Sequence, residues 1–409
     1  MKLVIKFVNS RFVLALIILW TLGITVARAI RLPNNYSMSH WLLDYRFGFM
    51  KRGLVGSICS VFTSIFGVKM TLEAITVLSS IVYAAFIISF LILIFILLKK
   101  YDYGRNISVL VLIFVSSPFF VMSGHLFGYF DALLFVAVIA SLFLIEREHF
   151  LSAALISSMA ILVHESYFLV GLPVVYLSIY FKYFTDKDQK LGKINIAVML
   201  LPVLTFIFLL IYQVAFVNNK MLFQQLLEYL NSYSFIYAGP KGLPHWQTVG
   251  FSELLRTQRH TVPERIFQLK NITAYYPSLL AIMIFIHSSF KIKTFRRDSI
   301  FILVAVLAPL FMYFTAFDVV RISLNTLGLG FIVLWLMKVN RKSFNSGDSF
   351  MLIGVSVFFL NVFARVTLMG KHIDKFSDSE RLLFYLPTML YLIFLIFRNE
   401  EAKVSSSFE

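Results

Sequence analysis

Trp41-Leu42-Leu43-Asp44-Tyr45-Arg46-Phe47-Gly48-Phe49-Met50-Lys51-Arg52-Gly53-Leu54 packs one carboxylate, three cations, four aromatics and two glycines into 14 residues. An apolar run, Phe12 to Ile30, lies before it, and a second run, Val55 to Val68, lies directly after it. The second run holds about 14 residues where a membrane-spanning helix needs about 20. It therefore reads as a helix lying in the membrane interface, tethered by Trp41 and its aromatic neighbours. The next run, Thr71 to Leu98, ends at Lys99-Lys100, a basic end that belongs on the cytoplasmic side. That orientation holds only if Val55–Val68 does not cross.

The composition agrees with lipid as the main solvent. Apolar residues make up 59% of the 409 positions and charged residues 14%, against about 45–50% and about 25% in a soluble domain. The expected fold is all-α, a polytopic bundle of about 12 spans with some short helices, forming a single integral membrane domain over 1–409. The lone cysteine, Cys59, excludes an intrachain disulfide and a Cys-rich metal site. The formal net charge of +16 fits cytoplasmic loops that collect Lys and Arg, and no nucleic-acid partner is expected. Phe12–Ile30 is long for the apolar core of a cleaved signal and reads as a retained first helix.

Lys2, Lys6 and Arg11 place the N-terminus in the cytoplasm. A first periplasmic loop then covers 31–70, and the last span returns the C-terminus to the cytoplasm. Phe150–Tyr183 is too long for one untilted helix and is broken at His164-Glu165 and at Gly171 and Pro173. Two short helices meeting at His164-Glu165 account for it, an arrangement tolerated where a break lines a polar cavity. A large periplasmic loop is expected over 217–272, helical near Met221–Leu230.

The candidate chemistry collects at one face. Asp44, at the outer membrane face beside aromatics, suits taking a proton from a sugar hydroxyl. It suits equally an ion pair with Arg46 or Lys51 that holds the loop. Arg46, Lys51 and Arg52 form a cationic cluster at headgroup depth, fit for a lipid-linked phosphate or for ordinary anionic lipids. Asp131, His164, Glu165, Asp318 and Arg321 are ionisable groups at or just inside helix ends, where charge in a membrane marks function by default. His164-Glu165 could also cap the two short helices, and Asp318 with Arg321 could be a local i,i+3 pair. His125, between Gly124 and Gly128, is a weaker candidate. The long loop contributes His245, Trp246, Arg256, Arg259 and His260, a mixture suited to a sugar acceptor and phosphate, or to a solvated basic surface. No GxGxxG, Walker A, HExxH or CxxC motif is present.

This layout resembles the GT-C superfamily of membrane glycosyltransferases, which use polyprenyl-phosphate sugars. In that family the first outer loop carries the catalytic acid and interfacial helices that do not cross. Asp44 matches the acid and Val55–Val68 the interfacial helix. The stretch Asp44 to Gly56 also looks like bacterial membrane proteins of surface-polysaccharide biosynthesis. The resemblance implies a transferase of the bacterial inner membrane acting at its periplasmic face. The donor would be a polyprenyl-phosphate-linked sugar and the acceptor a lipid-linked or surface glycan, O-antigen, lipopolysaccharide or capsule. Asp44, His164 and Glu165 would be catalytic. Arg46, Lys51, Arg52, His125, Asp131, Arg256, Arg259, His260, Asp318 and Arg321 would bind substrate or phosphate. Family members often carry two acids in the first loop, and this loop has one. No cofactor is called for by the residues themselves, and a divalent cation is an option that the resemblance carries. A repeat-unit polymerase is the alternative, and a transporter or flippase a more distant one, since no internal repeat is present.

Overall fold

The structure is a computed structural model. It describes residues 10–183, 192–214, 217–239, 242–249, 269–288, 295–314, 318–340, 349–368 and 371–406. It is all-α apart from one two-stranded hairpin, β1 (Thr367–Leu368) with β2 (Lys371–His372).

Helix α1 (Arg11–Ala27) starts at Ser10, whose side chain accepts the Val13 N–H. It buries Leu14, Ile18, Thr21, Leu22 and Thr25, a stripe at helical spacing. That stripe meets the last helix, α19 (Asp378–Ser406). Thr21 and Thr388 hydroxyls lie 2.7 Å apart, as do those of Thr25 and Tyr385. Such bonds join helices where lipid supplies no hydrophobic drive between them. α2 (Asn35–Leu42) and α3 (Leu54–Phe66) follow, then the long α4 (Leu72–Lys100). α5 (Arg105–Val115) and α6 (Pro118–His125) are nearly continuous, broken at Ser116-Ser117 before Pro118. α7 (Asp131–Glu146), α8 (Phe150–Val163), α9 (Tyr167–Val170) and α10 (Leu172–Tyr183) complete the first half. The second half comprises α11 (Lys193–Met199), α12 (Leu201–Val214), α13 (Lys220–Asn231), α14 (Leu243–Thr248), α15 (Leu269–Ser288), α16 (Phe295–Leu307), α17 (Val319–Asn340) and α18 (Ser349–Phe363).

Among the described residues, five helical segments are long and apolar enough to cross a membrane: 72–100, 105–125, 193–214, 320–337 and 378–397. This marks the chain as a membrane protein. The expected count of about 12 spans is corrected by helix length. Apolar helices such as α1, α8 and α18 have 14–17 residues, below the ~20 that a span requires.

The segments 105–125 and 320–337 are 94% buried and form the centre. There Phe114 stacks on Phe331 at 3.9 Å, and Phe86, Phe90, Phe119, Phe120 and Phe135 pack around them. Segment 193–214 is only 17% buried and lies outermost. The expected interfacial helix is α3. It is short, and it leaves Ile58, Val61, Phe62, Ile65 and Phe66 exposed, a face suited to lipid. Phe150–Tyr183 does break after Val163 as expected.

A buried charge cluster closes one end of the bundle. Arg28, fully buried, donates to Asp374 from Nε (2.9 Å) and Nη2 (2.5 Å), and to the carbonyls of Asn361 and Ala364. The Lys375 N–H returns a bond to the Arg28 carbonyl at 2.7 Å. Removing one member of a buried pair strands the other charge at a cost of about 3–5 kcal/mol. Asp374→Asn is therefore expected to lower the melting temperature of the detergent-solubilised protein sharply. Glu228→Gln, at an exposed position, serves as the control with little change.

Candidate functional site

The loop 43–53 is shaped by contacts within a few residues. Asp44 caps the short 3-10 turn Tyr45–Phe47, its Oδ1 accepting the Arg46 N–H at 3.0 Å and Arg46 Nε at 2.9 Å. Its Oδ2 lies 2.8 Å from Arg46 Nη2. Arg46 also donates to Ser60 Oγ and sits 4.9 Å over the Tyr229 ring. The structure thus places Asp44 in a pair with Arg46, one of the two partners expected for a loop-holding role. At Gly56 a Cβ would lie 2.0 Å from the Leu43 carbonyl oxygen, so α3 presses against the loop where no side chain fits. Trp41 does not face lipid. It is buried on Phe130 at 5.3 Å and donates to the Gly128 carbonyl. Phe49 reaches outward instead, against Phe208 and Tyr212 of α12.

The same loop delivers Arg52 to the helix break. Arg52 has φ +64, a left-handed backbone that an L side chain adopts only under constraint. Its guanidinium forks onto Glu165: Nε to Oε2 at 2.9 Å and Nη2 to Oε1 at 2.5 Å. Nη1 donates to the Tyr36 hydroxyl at 3.3 Å. Burial works against the Arg52 charge, but Glu165 and Tyr36 outweigh it and leave its pKa raised. Glu165 Oε2 also lies 3.5 Å from His164 Nδ1, and that nitrogen accepts the Ser166 N–H at 3.1 Å. His164 thus caps the turn into α9 as well as facing the site.

Beside them, Asp131 at the start of α7 accepts Arg321 Nε (2.9 Å) and Nη2 (2.5 Å). Arg321 also lies 5.3 Å over the Tyr129 ring. The expected Asp318–Arg321 ion pair takes another form, because the guanidinium is committed to Asp131. Asp318 instead accepts the Arg321 backbone N–H at 3.3 Å. Burial pushes the Asp318 carboxyl up to about 6, against the pull of Arg321.

Lys51 has no such partner. Among the described residues no carboxylate lies within 4 Å of its ammonium. Burial lowers its pKa to about 8, with Glu165 opposing and Arg52 adding to the shift.

Three residues that sequence reasoning passed over complete the group: Tyr36, His40 and Tyr129. Asn34 caps α2 through the Ser37 N–H and donates to the Tyr129 hydroxyl. Tyr36 and His40, four residues apart on α2, then share one face, with ring centroids at 4.9 Å. That i,i+4 spacing was the available signal. His125 joins neither ion pair, and its carbonyl accepts from Arg31. His245 lies in α14 against Trp246. Arg256, Arg259 and His260 lie outside the described residues. Among the described residues no group of three or more His, Cys, Asp or Glu is placed to hold a metal ion.

The arrangement is a polar nest at one end of an apolar bundle. Two carboxylates are each forked by an arginine, with an unmatched lysine and two histidines between. No family model, curated protein or solved structure matches the chain. The coupling of Arg52 and Glu165 is directly testable. Arg52→Met and Glu165→Gln should each destabilise by about 3 kcal/mol, while the double variant costs clearly less than the sum. Additive losses in thermal melts would show that the pair is not formed.

Proposed function

We propose that the chain is a membrane glycosyltransferase that takes a sugar from a polyprenyl-phosphate-linked donor and places it on a surface glycan. The reading puts the polar nest at the periplasmic face of a bacterial inner membrane, with both termini cytoplasmic. The GT-C-like layout, a charged first loop followed by a helix that does not cross, belongs to the same reading.

The observation that carries it is Lys51. Among the described residues Lys51 is a half-buried cation with no carboxylate within 4 Å, set next to the Arg52–Glu165 fork at the rim of an apolar bundle. A phosphate at headgroup depth supplies the missing anion. Lys51 offers a point charge and Arg52 a planar fork, the two modes by which proteins hold phosphate. As the bond between sugar and phosphate breaks, negative charge grows on the leaving oxygen, and fixed cations there favour the transition state over the ground state. The exposed apolar face of α3 and the outermost α12 leave lipid-facing surface beside the loop for the donor's chain. In this reading Asp44 and Arg46 shape the loop. Asp131 with Arg321 fixes the opposite wall.

Two outcomes are expected. Lys51→Met, which removes no ion pair, should fold normally and lower transfer about 10²-fold, the usual effect of losing one such electrostatic group. The measurement is the surface-glycan profile of a deletion strain complemented with either form, after checking membrane expression. A wild-type profile with Lys51→Met would contradict the reading. Binding of polyprenyl phosphate should also weaken as pH rises through about 8, because Lys51 is charged below that value and neutral above it. Lys51→Met should lose this pH dependence.

A further inference from the structure

We propose that His40, beside His164 in the polar nest, is the catalytic base of the transfer, the group that receives the acceptor's hydroxyl proton. The assignment rests on the transferase reading above and deepens it by naming the base, a role for which the sequence had offered Asp44.

His40 is 2% exposed, and among the described residues neither Nδ1 nor Nε2 has a hydrogen-bond partner. Buried polar groups are almost always satisfied, because leaving one without a partner costs the full desolvation of that group. An imidazole with both nitrogens open is therefore poised for a group that arrives with the substrate. Its ring is held by Tyr36, and by Phe130 edge-on at 5.6 Å. It lies parallel to His164 within 11°, with centroids 6.4 Å apart. The ring thus lies where the polar nest, at Tyr36 and His164, meets the apolar core at Phe130.

Four other bases at this end are already engaged by side-chain or capping partners. Asp44 is tied to Arg46, Glu165 to Arg52 and Asp131 to Arg321. His164 Nδ1 accepts from Ser166. Among the described residues His40 has both ring nitrogens without a partner, whereas Asp318 already accepts the Arg321 backbone N–H. The charged and titratable groups that face it are Arg52, Arg321, His164 and Glu165, with the rings of Tyr36 and Tyr129 packed nearby. Burial, then Arg52, His164 and Arg321, hold its pKa below the ordinary imidazole value, and Glu165 opposes them. The ring is therefore neutral and able to accept a proton at physiological pH. A donor phosphate settling on Lys51 and Arg52 adds negative charge beside it and raises its proton affinity when the reaction needs it.

The step balances without a further reactant. The acceptor hydroxyl gives its proton to the open nitrogen of His40 as its oxygen bonds to the sugar's anomeric carbon. The bond from that carbon to the phosphate oxygen breaks, and the electron pair leaves with the polyprenyl phosphate, held by Lys51 and Arg52. The imidazolium then passes its proton to water as product departs.

The test uses full-length protein in proteoliposomes with the lipid-linked sugars and glycan acceptors extracted from the deletion strain. Release of polyprenyl phosphate is the readout. His40→Phe keeps the aromatic packing and removes both nitrogens, so its melting temperature should equal or exceed that of wild type. His40→Gln is the second, polar variant. Both should lower turnover by about 100-fold or more, the usual range for a lost general base, with KM changed little. Wild type is expected to lose rate towards acid pH as His40 takes up a proton, and that loss should vanish from the residual activity of His40→Gln. A merely structural His40 would leave that limb in place. Folded His40→Phe that keeps turnover within about threefold of wild type would overturn the assignment and leave the transferase reading standing. Wild-type protein that releases no polyprenyl phosphate would overturn both.

Discussion

The ion pair between Arg52 and Glu165 is the constraint around which the polar end of the bundle is arranged. A carboxylate at a helix break in an apolar bundle is tolerated only if a cation meets it. Here that cation comes from a loop 113 residues earlier in the chain. Bringing it there forces Arg52 into a left-handed backbone. The local cost is met by the bidentate fork and the Tyr36 hydroxyl. The pair thus fixes three things together: the path of the first loop, the angle between α8 and α9, and the position of Lys51 beside the carboxylate.

The other long-range pairs serve the same end of the molecule in different ways. Arg321 and Asp131, 190 residues apart, join the starts of α7 and α17. Arg28 and Asp374 close the first helix onto the segment before the last. The Arg28 guanidinium is saturated by a carboxylate and two carbonyls, which suits a clamp. Lys51 and His40 are not saturated, which suits a site. In the proposed reading, the contrast between polar groups that are fully met and those left without a partner separates scaffold from site. It also explains why the loop's only acid is a capping group: Asp44 spends both oxygens on Arg46 and the turn it starts.

Much of this was legible in the sequence where the signal is local. The short run after Asp44 announced a short helix, and His164-Glu165 announced the break. The cluster Lys51-Arg52 could be placed at the site because it sits in a loop with nowhere apolar to go. Partners were not legible. Nothing in the sequence says that Arg52 chooses Glu165 over Asp44, or that Arg321 prefers Asp131 to Asp318 three residues away, because those choices follow from helix packing. His40 escaped notice because a histidine beside Trp41 in a short aromatic helix looks like packing until its nitrogens are seen to lack partners. The span count failed for a related reason. Apolar run length measures how much lipid or protein a segment can meet, and not which of the two surrounds it.

The central claim is that a lipid-linked phosphate settles between Lys51 and the Arg52–Glu165 fork. Photolabelling would test it most directly, using a polyprenyl phosphate that carries a diazirine next to the phosphate, followed by peptide mapping of the membrane-embedded protein. The account expects label in the peptides around Tyr36–Leu54 and Val163–Tyr167, lost when Lys51 is replaced by Met. Label confined to the opposite end, near the Arg11–Asp102 pair, would contradict it.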